Sequence, residues 1–248
     1  MRLVILGSSS HGNCYLLEGE KETLILELGV NVALIKQALK FSFSHVAGAL
    51  VTHEHLDHAK SIEDAMKLGI DVYTSRGTMR TLGLNVDHHR LKTIKAGGIV
   101  TIGAFKVMPF KIQHDCAEPL GFVINHPECG NVLFITDSYY VHDTFKNIHN
   151  VIIEANYSHQ IIEERVRNGV SPEFLRNRIF KSHMSLETTK LTLRANDLSK
   201  VQNIVLIHLS DNNSNATQFK SEIEALTGKV VHVADAGVVI ENFNKTAF

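Results

Sequence analysis

An α+β architecture is what this chain predicts, from three observations. Short apolar runs punctuated by glycine fill the first half, and helical periodicity dominates the second. No Pro/Ser-rich linker or charge block divides the two, and only 4 prolines occur in 248 residues. Strands followed by mixed β and α segments layer naturally in one domain, so a single domain over residues 1–248 is expected.

The strands expected in the first half are Leu3–Leu6, Asn13–Glu18, Thr23–Glu27, Ala49–Thr52, Asp71–Thr74, Phe105–Ile112, Leu120–Asn125 and Asn131–Thr136. Together they are rich in Val, Ile, Leu and Phe and punctuated by Gly. Helices interrupt the series. Asn31–Lys40 places Val32, Ile35 and Leu39 on one side. Ser61-Ile-Glu-Asp has the form of a capping box, and Gly69 is its stop. Further on, Ser158–Asn168 reads as a helix, and the next starts with Ser171 as N-cap and Pro172 as first helical residue. Ser185–Asn196 and Asn215–Leu226 follow, the latter closed by Gly228. Strands Val151–Glu154, Asn203–His208, Val230–Val233 and Val238–Glu241 separate these helices, and residues 242–248 read as a loose tail.

Composition narrows the function. With 25 basic and 26 acidic residues the net charge is -1. A whole-surface binder of nucleic acid or membrane is strongly basic, so any polyanion site must be a local patch. No apolar run approaches the roughly 18 residues of a membrane span, so no membrane partner is expected. Met1–Gly7 is too short an apolar stretch for a signal peptide. Cys14, Cys116 and Cys129 lack close spacing, which favours a reducing interior, and the cytoplasm is the expected location. The anomaly is 15 histidines, because histidine is the commonest metal ligand.

Four of the ligand-type residues crowd together in Leu50-Val-Thr-His53-Glu-His55-Leu-Asp57-His58. An apolar strand runs straight into them. In extended chain His53, His55 and Asp57 project to one side, with His58 pointing elsewhere. One stretch can thus serve two neighbouring ions, but four side chains do not close two sites. Further donors at the ends of apolar runs answer the need. His114 follows Phe110-Lys-Ile-Gln, Asp137 follows Asn131-Val-Leu-Phe-Ile-Thr, and His208 follows Ile204-Val-Leu-Ile. His45, His88, His89, His126, His142, His149, His159 and His232 read as surface or internally satisfied residues. Arg165, Arg167, Arg176, Arg178 and Lys181 form a local basic patch suited to phosphate, with the solvated face of two amphipathic helices as the plain alternative.

His53-x-His55-x-Asp57-His58, followed by single His, Asp and His at strand ends, resembles the metallo-β-lactamase superfamily over nearly the whole chain. The resemblance implies a metallo-β-lactamase fold, a four-layer αβ/βα sandwich. It also implies one metal site of His53, His55 and His114 and a second of Asp57, His58 and His208, with Asp137 bridging. Five segments resemble the YycJ/WalJ-type branch, related to tRNase Z and RNase J. They are Gly7-Ser-Ser-Ser-His-Gly-Asn-Cys-Tyr, Gln113-His114-Asp115-Cys-Ala-Glu-Pro119-Leu-Gly-Phe, Ile153-Glu154-Ala-Asn156-Tyr, Arg178-Ile-Phe-Lys-Ser-His183-Met-Ser and Ile207-His208-Leu-Ser-Asp-Asn-Asn. Glu27 stands where that branch usually has Asp, Ser182 where Gly precedes the later His, and Leu186 where Asn is usual.

This branch implies a binuclear metal-dependent exonuclease acting on DNA, rather than RNA, from 5′ ends. Two divalent ions, zinc first and manganese second, would lower the pKa of a shared water, and the resulting hydroxide would attack phosphorus. Asp57, His183 and Glu154 are the implied catalytic residues. His183 would protonate the leaving oxygen and Glu154 would hold it, while Arg165, Arg167, Arg176, Arg178 and Lys181 bind substrate. A small-nucleotide phosphodiesterase of the phage anti-defence type, taking cyclic mononucleotides, stays open. So does a thioester hydrolase like glyoxalase II, although only 40 residues follow His208, short for a glutathione-binding helical domain. A non-enzymatic module is opposed by the presence of all seven ligand types.

Overall fold

A computed structural model describes residues 1–246. In chain order, strands β1 (Arg2–Ser9), β2 (Gly12–Glu18), β3 (Thr23–Leu26), β4 (Val46–Leu50), β5 (Val72–Thr74) and β6 (Leu91–Thr93) lie side by side in one sheet. The pairs β1–β2 and β2–β3 are antiparallel, and β3 through β6 are parallel. The second sheet holds β7 (Val100–Ile102), β8 (Phe105–Lys111), β9 (Leu120–His126), β10 (Gly130–Ile135), β11 (Ile148–Glu154), β12 (Asn203–Ile207) and β13 (Val230–Val233), again in sequential order. Here β7–β10 are antiparallel and β10–β13 parallel. The last strand, β14 (Val239–Ile240), returns to the first sheet beside β1.

Helices α1 (Val32–Ala38), α2 (Leu56–Ala59), α3 (Ile62–Lys67) and α4 (Arg76–Thr81) belong to the first half, and α5 (His159–Arg167), α6 (Glu173–Ser182), α7 (Leu186–Ala195) and α8 (Ala216–Thr227) to the second. Strand alternation assigns the layers. Leu3 and Ile5 of β1 meet Val205 and Ile207 of β12 in the core between the sheets. The intervening Ile204 and Leu206 face outward and pack with Leu193 of α7 and Phe219 and Ile223 of α8. On the far side, Ile25 and Ala49 pack with Ile35, Ile62, Ala65 and Met79 of the first four helices. The inner parallel strands β3, β10, β11 and β12 are buried on both faces, which explains their apolar runs. The result is the four-layer αβ/βα sandwich. No helix among the described residues is long and apolar enough to cross a membrane.

The expected strands and the longer helices form with shifted ends. The short elements α2, α4, β6 and β7 were not expected, being too short or too mixed to show periodicity. Ser61 does not cap α3 with its side chain; its Oγ instead donates to the Val30 carbonyl at 2.6 Å. Pro172 is the N-cap of α6, so that helix begins one residue later than the sequence suggested.

The expected loose tail over 242–248 needs correction. Phe243 is fully buried in the core between the sheets. Its N–H donates to the Met1 carbonyl at 3.1 Å, and the Lys245 N–H to the Glu128 carbonyl at 2.9 Å. A lone aromatic in a polar stretch shows no periodicity, yet burying its ring supplies enough apolar contact to fix the segment. Residues 247–248 of the expected tail lie outside the described residues. Phe243→Ala should cost about 3–5 kcal/mol and lower the urea midpoint, with little change in its steepness. An unchanged midpoint would show that the ring contributes nothing to folding.

Candidate metal centre

Every predicted metal ligand emerges from the same end of the sandwich. Strands β1, β3, β4, β8, β10, β11 and β12 all point that way, and their carboxyl ends carry the polar residues. His53 lies three residues past β4, His114 three past β8, Asp137 two past β10 and His208 one past β12, while Glu154 is the last residue of β11. Backbone geometry aims several of them. Glu27, Asp137 and His208 have φ of 66°, 46° and 54°. The left-handed region is unfavourable for such residues and is kept where surrounding structure demands it. Here it turns the chain sharply off the strand end and across the cleft.

The extended reading of the histidine cluster holds only as far as His55. That residue is the N-cap of α2, and the chain then coils. His53 and His55 therefore face one group while Asp57 and His58, on the helical turn, face another. A Cβ on Gly29 would lie 1.6 Å from the Asp57 carbonyl oxygen, so only glycine lets the chain after β3 press against this turn. The Leu28 N–H donates to the His58 carbonyl at 2.8 Å and braces it.

Two sets of donor atoms result: His53, His55, His114 and Asp137; and Asp57, His58, Asp137 and His208, each set lying within 4.8 Å of one another. In the first, His55 Nδ1 is 3.1 Å from His53 Nε2 and 3.0 Å from His114 Nε2. Asp137 Oδ2 is 3.7 and 3.6 Å from those two Nε2 atoms. Nitrogens bound tetrahedrally to zinc stand roughly 3.3 Å apart, so the spacing suits a shared cation. In the second set, His58 Nε2 is 3.4 Å from Asp57 Oδ2 and 3.3 Å from Asp137 Oδ2, and His208 Nε2 is 3.4 Å from Asp57 Oδ2. Asp137 belongs to both. A third grouping of Asp137, Glu154, His183 and His208 reuses two of these residues.

Charge fits the same purpose. Burial alone would raise the Asp137 and Asp57 carboxyls, but the surrounding imidazoles outweigh it and hold both below the usual range. His53 and His114 are pushed down, first by burial, and so favour the neutral form that ligates. Burial also opposes charge on His208, yet Asp137 and Asp57 lift it to about 10. The carboxylates thus draw positive charge into the cleft.

A surrounding ring of partners was largely missed from sequence. Thr52 Oγ1 is 2.8 Å from His53 Nδ1. The Ser182 carbonyl accepts from His114 Nδ1 at 2.7 Å. Asn156 Nδ2 lies 3.0 Å from His208 Nδ1, and Asn13 Nδ2 lies 3.1 Å from His58 Nε2. Glu27 faces His58 Nδ1 at 3.6 Å, the place of the expected Asp. Glu54 accepts from the Ala117 N–H at 2.6 Å and the Thr78 hydroxyl at 3.2 Å, tying the His53–His55 loop to the one bearing His114. Thr52 adjoins a ligand, and Asn13 and Asn156 sit inside the quoted motifs, which are the only signals the sequence carried.

Glu154 is buried; its Oε2 accepts the Ser138 and Met184 N–H groups at 3.1 and 3.0 Å. Its Oε1 accepts from His183 Nδ1 at 2.8 Å. Burial lowers His183, but Glu154 outweighs it and holds the imidazole above its ordinary value. His183 lines a cleft of about 360 Å³ with His55, Asp57, His114, Asp137, His208 and Arg178. The basic patch is divided. Arg178 reaches this cleft. Arg176 is turned to Glu163 at 3.0 Å, to Asn177 and to the Phe180 ring. Arg165, Arg167 and Lys181 do not line the cleft. Cys116 is absent from both donor sets.

Fold and site together define a metal-dependent hydrolase, and the chain belongs to the metallo-β-lactamase superfamily. The beta-lactamase superfamily domain model matches residues 31–209. Among characterised relatives, the chain is 30% identical over 247 residues to the exodeoxyribonuclease YycJ of Bacillus anthracis, covering 94% of this chain and 91% of that one. It is 27% identical over 225 residues to the exodeoxyribonuclease WalJ of Streptococcus pneumoniae, covering 85% and 82%. The metallo-beta-lactamase fold protein YhfI of Bacillus subtilis superposes with a TM-score of 0.72 at 17% identity, over 96% and 98% of the two chains. The short form of human tRNase Z gives 0.63 at 14%, over 98% and 99%.

Thr52→Val keeps the shape and removes the hydrogen bond to His53. It should weaken divalent-ion affinity about 10–100-fold, read by competition against a chromogenic chelator. Wild-type affinity in the variant would reduce Thr52 to a space-filler.

Proposed function

We propose that this protein is a binuclear phosphodiester hydrolase, a DNA exonuclease acting from 5′ ends. The observation that carries the reading is the Glu154–His183 pair set at 2.8 Å against two sets of metal-type donors that share Asp137. Both relatives are named exodeoxyribonucleases, which supports DNA as substrate. His53, His55, His114 and Asp137 are assigned to one ion and Asp57, His58, Asp137 and His208 to the other, with zinc the first choice and manganese the second. Bound there, such ions would polarise a phosphoryl oxygen and acidify water.

The chain's own groups supply the rest. Asp57 borders the cleft with its side chain 23% exposed and is assigned to accept a hydrogen bond from the attacking water and orient it. Glu154, locked by two backbone N–H groups, fixes the His183 ring through Nδ1, leaving Nε2 as the atom that gives a proton to the leaving oxygen. Arg178 on the cleft wall pairs with a flanking phosphate. Arg165, Arg167 and Lys181 remain candidates for phosphates farther along, and Arg176 a weaker one. The three cysteines are unpaired, which agrees with the proposed cytoplasmic setting. The cleft volume also accommodates a single nucleotide, so cyclic mononucleotides are the second reading.

Metal-loaded protein should hold two ions per chain by elemental analysis. It should shorten 5′-phosphorylated DNA labelled at the 3′ end faster than it cleaves RNA or cyclic mononucleotides. A plateau at one ion removes the binuclear assignment, and preference for the cyclic substrates replaces the exonuclease reading.

His183→Ala separates proton donation from metal binding. The variant should keep its ions and lose about 10²-fold or more of kcat on DNA. It should lose much less on bis-p-nitrophenyl phosphate, whose leaving group is stable as an anion. Equal losses on both would exclude the general acid, and a lost ion would make His183 a ligand.

A further inference from the structure

Helix α6 leads from open solvent into the cleft. Its last residue, Ser182, is held at the site by His114 Nδ1, and Arg178 one turn earlier lines the cleft wall. Residues three and four apart on a helix share a face, so Phe174, Arg178 and Lys181 form one row. That row is open to solvent: Phe174 is 75% exposed, and the Arg178 side chain 70%. The opposite face turns inward, with Phe180 stacked on Tyr157 at 5.3 Å. Exposed Leu175 adjoins Phe174 in the helix and widens the apolar patch.

Along α6 itself, Arg178 and Lys181 stand against one acidic residue, the exposed Glu173 beside Phe174. Glu163 is occupied by Arg176, and Glu164 accepts from Gln160. Asp115 stands 3.9 Å from Arg178 and is itself exposed. An aromatic face with cations one and two turns away, continuous with a phosphodiesterase cleft, combines the two elements that hold single strands: stacking for bases and positive charge for phosphates. Four residues of helix span about 6 Å, so Phe174 stands about that far along the axis from Arg178.

We propose that Phe174 is a stacking platform for a base of a single-stranded polynucleotide whose reacting phosphate lies in the cleft, with Arg178 and Lys181 pairing the phosphates between. This rests on the nuclease reading above and adds to it a substrate form: the bound end is unpaired, and at least one nucleotide beyond the reacting one is gripped through its π face.

The chain contains no tryptophan, so Phe174→Trp introduces a single indole that retains the stacking face. Titrating this metal-loaded variant with phosphorothioate-linked oligothymidylate, which resists cutting, should quench its fluorescence to saturation. An abasic nucleotide at one position of the oligonucleotide should abolish the quench, and moving it elsewhere should restore it. Phe174→Ala should raise KM for single-stranded DNA about tenfold. The control Ile99→Ala, at a residue 76% exposed beside β7, should leave KM unchanged. An unquenched indole, or an unchanged KM in Phe174→Ala while the wild type cuts DNA, overturns the stacking platform and leaves the nuclease reading standing. A wild type that cuts no polynucleotide overturns both. Conversion of a dimer to a monomer by Phe174→Ala in sedimentation assigns the patch to contact between two copies, and also overturns the proposal.

Discussion

One buried carboxylate organises this molecule. Asp137 is 2% exposed and within 3.7 Å of nitrogens from His53, His58, His114 and His208. Those four histidines come from both sheets, so the carboxylate sits on the seam of the sandwich. An anion buried there is tolerable only with positive charge at hand. The imidazoles, and the cations they are built to bind, meet that requirement. The cleft therefore depends on the two sheets keeping their alignment, which the core of Leu3, Ile5, Val205, Ile207 and Phe243 enforces.

Much of this was legible from the chain because strand ends carry a clear mark. A run of apolar residues stopping at a His or Asp located His53, His114, Asp137 and His208, and all four fall in the two donor sets. Fold class was readable for a related reason: parallel strands covered on both faces need unbroken hydrophobic runs. The two donor sets follow the division that the family resemblance implied.

What escaped notice has physical causes. The bend after His55 depends on packing against Gly29, a contact made across 28 residues of chain, so local alternation wrongly placed Asp57 beside His53. Partners such as Asn156 and Glu54 act through isolated side-chain hydrogen bonds, which leave no periodic trace. The basic patch looked uniform in one dimension. Helical geometry divides it, sending Arg178 to the cleft and Arg176 back onto Glu163 and Phe180. Phe243 was hidden because a single ring in a polar segment gives no pattern, although the space it fills lies at the centre of the protein.

The order in which the ligands occur along the chain has its own consequence for how the protein comes into being. Three histidines and the shared carboxylate of the first set lie within residues 53–137, whereas the second set awaits His208, beyond the last strand to approach it. A chain still under synthesis therefore carries every residue of the first set before β12, and with it His208, has been made. The two donor sets are completed at different points in the synthesis of the chain.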